Sequence, residues 1–150
     1  MTTTVKDEKN YERLSKPFPS KTDAADAYNL FSQPIEMLSR VQRADIRQLA
    51  MKVIFKIAAS LETSILFKSK LRFGTLTPLH ITQDDDGSIL VEWAFPHYRI
   101  GFSIESDTTK SGWYLITDKH FGETSASGRL NQGSDDIIIR WITQFVLANS

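Results

Sequence analysis

The stretch Ser88–Glu105, SILVEWAFPHYRIGFSIE, decides how this chain is read. Ile89, Val91, Trp93 and Phe95 share one parity before Pro96-His97, and Tyr98, Ile100, Phe102 and Ile104 share one parity after it. Side chains alternate faces along a strand, so each run places its large apolar residues on a single side. The two runs predict a half-buried β-hairpin with an aromatic-rich inner face. Proline cannot take φ > 0, which excludes a two-residue type I′ or II′ turn at Pro96. A four-residue loop keeps the same parity and is expected instead.

Upstream of the hairpin, Pro78 precedes a short strand (Leu79–Thr82), and Asp84-Asp85-Asp86-Gly87 supplies a tight turn. Downstream, Gly112 introduces a strand over Trp113–Thr117, and a weaker one runs over Glu123–Leu130. The strongest helix signal lies between Ala44 and Leu61. There Ile46, Leu49, Val53, Ile54, Ile57 and Leu61 fall on one face of a 3.6-residue repeat. Met51 and Phe55 lie on the opposite side of that wheel, which calls for a second cover: a helix over Asp23–Gln33, or a partner molecule. Leu61–Phe73 either continues the helix to Gly74 or is irregular. Pro34 suits the first turn of its own helix.

The chain closes with a helix that Ser134 caps, Asp135 and Asp136 begin, and Ile138, Trp141, Ile142 and Phe145 line as the buried stripe. Trp93, Trp113 and Trp141 are read as core by their company of apolar residues. The expected fold class is α+β: N-terminal helices, an antiparallel meander of three to four strands, and a C-terminal helix packed on one sheet face. Residues 1–20 are polar, with Pro17 and Pro19 near their end, and read as a flexible leader; 21–150 read as a single α+β domain.

A chain of 150 residues buries roughly two-thirds of its unfolded surface and needs no staple. It has no cysteine, which excludes a disulfide scaffold, a thiol nucleophile and any cysteine-containing zinc site. No apolar run is long enough to span a bilayer, and MTTTVKDEKNYERLSK has no signal-peptide core. No membrane association is expected, and a cytoplasmic location is.

The formal net charge is zero, yet unevenly spread. Arg40–Arg72 carries eight basic residues against two acids, a net of +6, and Asp84–Asp107 carries six acids against one arginine, a net of −5. Two such regions can orient a partner by their field. Arg40, Arg43 and Arg47 stand at i, i+3 and i+7, a spacing that would place three cations on one helix face for phosphates. The near-neutral sequence as a whole does not look like a dedicated nucleic-acid binder.

The remaining chemistry-bearing residues read mostly as structure. Asp84–Gly87 lacks the frame and distal glutamate of a calcium loop. Glu92 is expected on the outer sheet face, across from Gly101 and diagonal to Arg99, where it pairs with the arginine. His80, His97 and His120 are not spaced as metal ligands, and neither a nucleophile elbow nor a phosphate loop is present. No metal or cofactor is expected. In Trp113-Tyr114 one aromatic goes to each face, which puts Tyr114 outward as a contact candidate.

The span Pro78–Trp93, PLHITQDDDGSILVEW, resembles a pattern in small uncharacterised prokaryotic α+β proteins: a proline-led strand, an Asp-Gly turn, then a strand ending in Glu-Trp. The likeness covers Pro78–Glu105. It implies the α+β fold and carries no activity or catalytic residue.

The functional expectation is a non-catalytic protein–protein interaction module, such as an accessory subunit, regulator or inhibitor. Its partner surface is expected from Arg40, Arg43, Arg47, Met51, Phe55 and Tyr114. The alternatives are nucleic-acid binding through the basic region 40–72 and a small enzyme with Glu92, His97 and Arg99 at the hairpin tip.

Overall fold

The computed structural model describes residues 30–118, 124–130 and 135–150; the leader, most of the Asp23–Gln33 segment, His120 and Ser134 lie outside them. The hairpin is formed in the expected register. β2 (Ile89–Ala94) and β3 (Tyr98–Ile104) pair antiparallel with Val91 opposite Phe102 and Ala94 opposite Arg99. Four residues therefore make the loop, which a Phe95 N–H to Tyr98 carbonyl bond of 2.8 Å closes. β1 (Leu79–Gln83) joins β2 through the Asp84–Gly87 turn, where Gly87 has φ of 90° and the Asp86 carboxylate accepts from the Ser88 N–H at 2.9 Å.

β4 (Gly112–Thr117) and β5 (Thr124–Arg129) extend the meander to five antiparallel strands in sequential order. The sheet is thus one strand wider than the upper expectation. All five, the weaker one expected over Glu123–Leu130 included, fall where strands were expected, so only the expected count was low.

The helices lie on the inner face. α1 is Ser32–Ser39, with Pro34 in its first turn, and α2 is Ala44–Glu62. α2 buries Ile46, Val53, Ile54, Ile57 and Leu61, with Ala50 and Ala58 between them, while Leu49 is partly buried. At Ser64 the backbone turns extended (φ −98°, ψ 127°), so α3 (Ile65–Phe73) is a separate helix, and it ends at Gly74. α4 (Asp135–Asn149) closes the layer.

Against these helices the sheet buries Ile89, Val91, Trp93, Ile100, Phe102 and Ile104. Trp93 and Phe102 meet edge to face, ring centres 6.4 Å apart. Burying each such ring contributes about 2–3 kcal/mol. This single apolar layer holds the helices to the sheet.

α4 is also fastened to α2 and to the α2–α3 turn by polar contacts. Lys56 pairs with Asp136, Ser64 Oγ donates to Gln144 Oε1 at 3.1 Å, and Gln144 Nε2 donates to Ser60 Oγ at 3.3 Å. Lys70 Nζ reaches the Ser150 carbonyl at 2.5 Å, which ties α3 to the chain end. Among the described residues, no helix is long and apolar enough to cross a membrane.

The meander also decides where the two charge runs go. In an antiparallel order the β1–β2 turn and the β3–β4 loop share one end of the sheet, which gathers Asp84, Asp85, Asp86, Glu105 and Asp107 there. The start of α2 is at the same end, with Ile46 Cδ1 placed 3.9 Å from a Cβ built on Gly87. Arg40 lines a cleft with Gln83 of β1. The first arginines of the basic run therefore adjoin the acidic turns.

Candidate functional site

The outer sheet face carries a polar row set by register: His80, Glu92, Gly101, Tyr114 and Ser127 stand opposite one another on β1 to β5. Tyr114 Oη donates to Glu92 Oε2 at 2.5 Å, and Arg99 Nη1 lies 3.6 Å from Glu92 Oε1. Gly101 makes the crossing work. A Cβ there would fall 2.2 Å from the Val91 carbonyl oxygen and 2.6 Å from Glu92 Cα, so only glycine lets the strands come this close. The expected Glu92–Arg99 pairing is present, and Tyr114 completes it.

Tyr114 is on the outer face as expected, yet it is only 8% exposed. Burial first, then the hydrogen bond to Glu92 and its charge, push the phenol far above its ordinary value. At neutral pH it is a fixed donor to a carboxylate. The cleft around this row, about 420 Å³, is also lined by Lys110 and Arg129. With its phenol held protonated, Tyr114 ties β4 to β2 through Glu92.

The hairpin-tip trio does not converge. His97 Nδ1 is 2.9 Å from Asp118 Oδ2 at the loop end, whereas Glu92 faces the central cleft; Arg99 alone borders both places. Among the described residues, no cluster of His, Cys, Asp or Glu could hold a metal ion.

The three arginines are not on one helix, contrary to their spacing. α1 ends at Ser39, Arg40 is its C-cap, Arg43 is the extended N-cap of α2, and only Arg47 is helical. Each is also engaged: Arg40 with Glu36 at 2.9 Å, Arg43 with Asp45 at 2.6 Å, and Arg47 with the Val41 carbonyl at 2.8 Å. No proline or glycine marks this break, which is why periodicity ran through it. Met51 packs partly buried against the core, and Phe55 is 44% exposed.

α4 holds the feature that the sequence reading placed wrongly. Its buried stripe is Ile139, Ile142, Thr143, Val146 and Leu147, not one centred on Trp141. Trp141 is 77% exposed, Ile137 61% and Phe145 41%. At 100° per residue Trp141 stands nearly opposite Ile139 and Val146. The helix carries two apolar stripes, and the core takes the one containing Thr143, whose hydroxyl is satisfied by donating to the Ile139 carbonyl at 2.7 Å. Ile137, Trp141, Phe145 and Ala148, at offsets 0, 4, 8 and 11, form the second stripe. That spacing was legible as an alternative.

Beside this stripe, α4 and the inner face of β3–β5 enclose an apolar groove of about 790 Å³. Ile100, Trp113, Leu115 and Ala126 form its sheet wall, and Ile138, Trp141 and Phe145 its helix wall. Gly128 lets the Trp113 indole lie flat against β5, since a Cβ there would sit 2.4 Å from Trp113 Nε1. Tyr98 meets Phe145 edge to face at 5.9 Å and stacks on Phe95 at 4.6 Å, which extends the aromatic surface toward the hairpin loop. Trp141 and this groove form one contiguous exposed apolar surface.

Comparison with protein-family models, with curated proteins and with solved structures finds no match to this chain.

Proposed function

We propose that this chain is a non-catalytic protein-interaction module, an accessory subunit, regulator or inhibitor, that docks through the outward face of α4 and the groove beside it. The observation that carries the reading is Trp141: a large aromatic, 77% exposed, on a helix whose inward face is already filled. Leaving such a side chain in water forgoes about 2–3 kcal/mol of burial that a partner would supply. The engaged arginines and the locked Tyr114–Glu92 pair favour this face over the charged surface and over catalysis.

The test is capture from a native lysate on the immobilised full chain, beside Trp141→Arg and the triple alanine variant of Arg40, Arg43 and Arg47. Retention by wild type and by the triple variant, with loss in Trp141→Arg, is the expected pattern. Loss in the triple variant with full retention in Trp141→Arg overturns the reading.

A further inference from the structure

We infer that the surface centred on Trp141 takes a second copy of this chain, the two α4 helices pairing antiparallel about a two-fold axis through Trp141. This deepens the reading of that face as the docking surface and rests on it.

The stripe is symmetric about Trp141. Ile137 and Phe145 each stand four residues from Trp141, which lies near the middle of Asp135–Asn149. A two-fold axis at Trp141 brings Ile137 of one copy opposite Phe145 of the second, and the reverse, so the stripe is complementary to itself. The antiparallel order also opposes the helix dipoles favourably.

Projection and recess also adjoin. Trp141 stands at the rim of the groove walled by Ile100, Trp113, Leu115 and Ala126. The indole of each copy can therefore enter the groove of the other, and one surface supplies both halves of the contact. Charge points the same way. After Asp136, which Lys56 holds, Arg140 is the only charged side chain on α4, so the seam asks for no matching acid or base from an unrelated partner.

The area is small. The exposed parts of Ile137, Trp141 and Phe145 with the groove wall amount to on the order of 500 Å² per copy, below the ~800 Å² that a standard interface buries on each side. A contact of this size fits a weak, reversible dimer.

Sedimentation equilibrium of the full chain from about 1 to 500 µM reads this directly. The wild-type mass should rise from 17.1 kDa toward twice that value. Trp141→Arg and Ile137→Arg, both at exposed positions, should keep the wild-type melting temperature and weaken association at least about tenfold. A wild type that stays at 17.1 kDa throughout overturns the inference, as does a dimer that neither variant weakens. If the wild type is monomeric and Trp141→Arg still abolishes capture from lysate, the second copy is overturned and the docking surface stands. If the lysate capture is also indifferent to Trp141, both fail.

Discussion

Trp93 and Trp141 sit in comparable sequence surroundings, each among isoleucines and other apolar residues, yet one is 3% exposed and the other 77%. The difference lies in the periodicity that places them. A strand has two faces, so sharing a parity with Ile89 and Val91 leaves Trp93 only one place to go. A helix offers a continuum of faces. α4 is apolar over much of its circumference, and its core stripe is chosen by what α2 and the sheet present to it. The sheet contrasts with α4 in the same way. On its outer face Tyr114, Glu92 and Arg99 satisfy one another within the chain, whereas on the outward face of α4 Phe145 meets Tyr98 and Trp141 stays 77% exposed.

The comparison breaks most visibly in stability. Phe102→Ala, at a residue with no exposure that packs edge to face on Trp93, should cost about 3–5 kcal/mol in urea unfolding. Next comes Gly101→Ala. Because the added carbon would meet the backbone of β2, not a yielding side chain, a loss of about 3 kcal/mol is expected. If that variant is as stable as wild type, the close approach under the Tyr114–Glu92 bridge is wrong.

Tyr114→Phe removes a donor to a carboxylate and should cost about 1.5–3 kcal/mol. Its pH dependence sharpens the point. The folded protein holds the phenol proton more tightly than the unfolded chain, so the contribution is intact below pH ~10 and is lost as pH rises above it. Wild type should therefore lose stability between about pH 10 and 11 relative to Tyr114→Phe, measured by urea midpoints. The smallest effect belongs to α4: Trp141→Ser in the monomer should change stability by less than about 0.5 kcal/mol.

Much of the architecture was legible because strand parity is binary. The register from Ile89 to Ile104, the four-residue loop at Pro96 and the Glu92–Arg99 pair all follow from counting by two. Two features were not legible, each for a physical reason. The α1–α2 break at Arg40–Arg43 is made by backbone turning that no glycine or proline announces, so a spacing argument carried Arg40, Arg43 and Arg47 onto one helix. In α4 the stripe with the larger aromatics lost to one containing Thr143, because a helical threonine can return its hydroxyl to its own backbone.

Acrylamide quenching of tryptophan fluorescence at submicromolar concentration addresses the central claim most directly, since the chain has only three tryptophans, Trp93, Trp113 and Trp141. Trp141→Phe should abolish most of the quenchable emission and leave a blue-shifted, protected signal from the other two. Quenching that is unchanged by the substitution would show Trp141 already covered within the single chain, and would contradict an open docking face on α4.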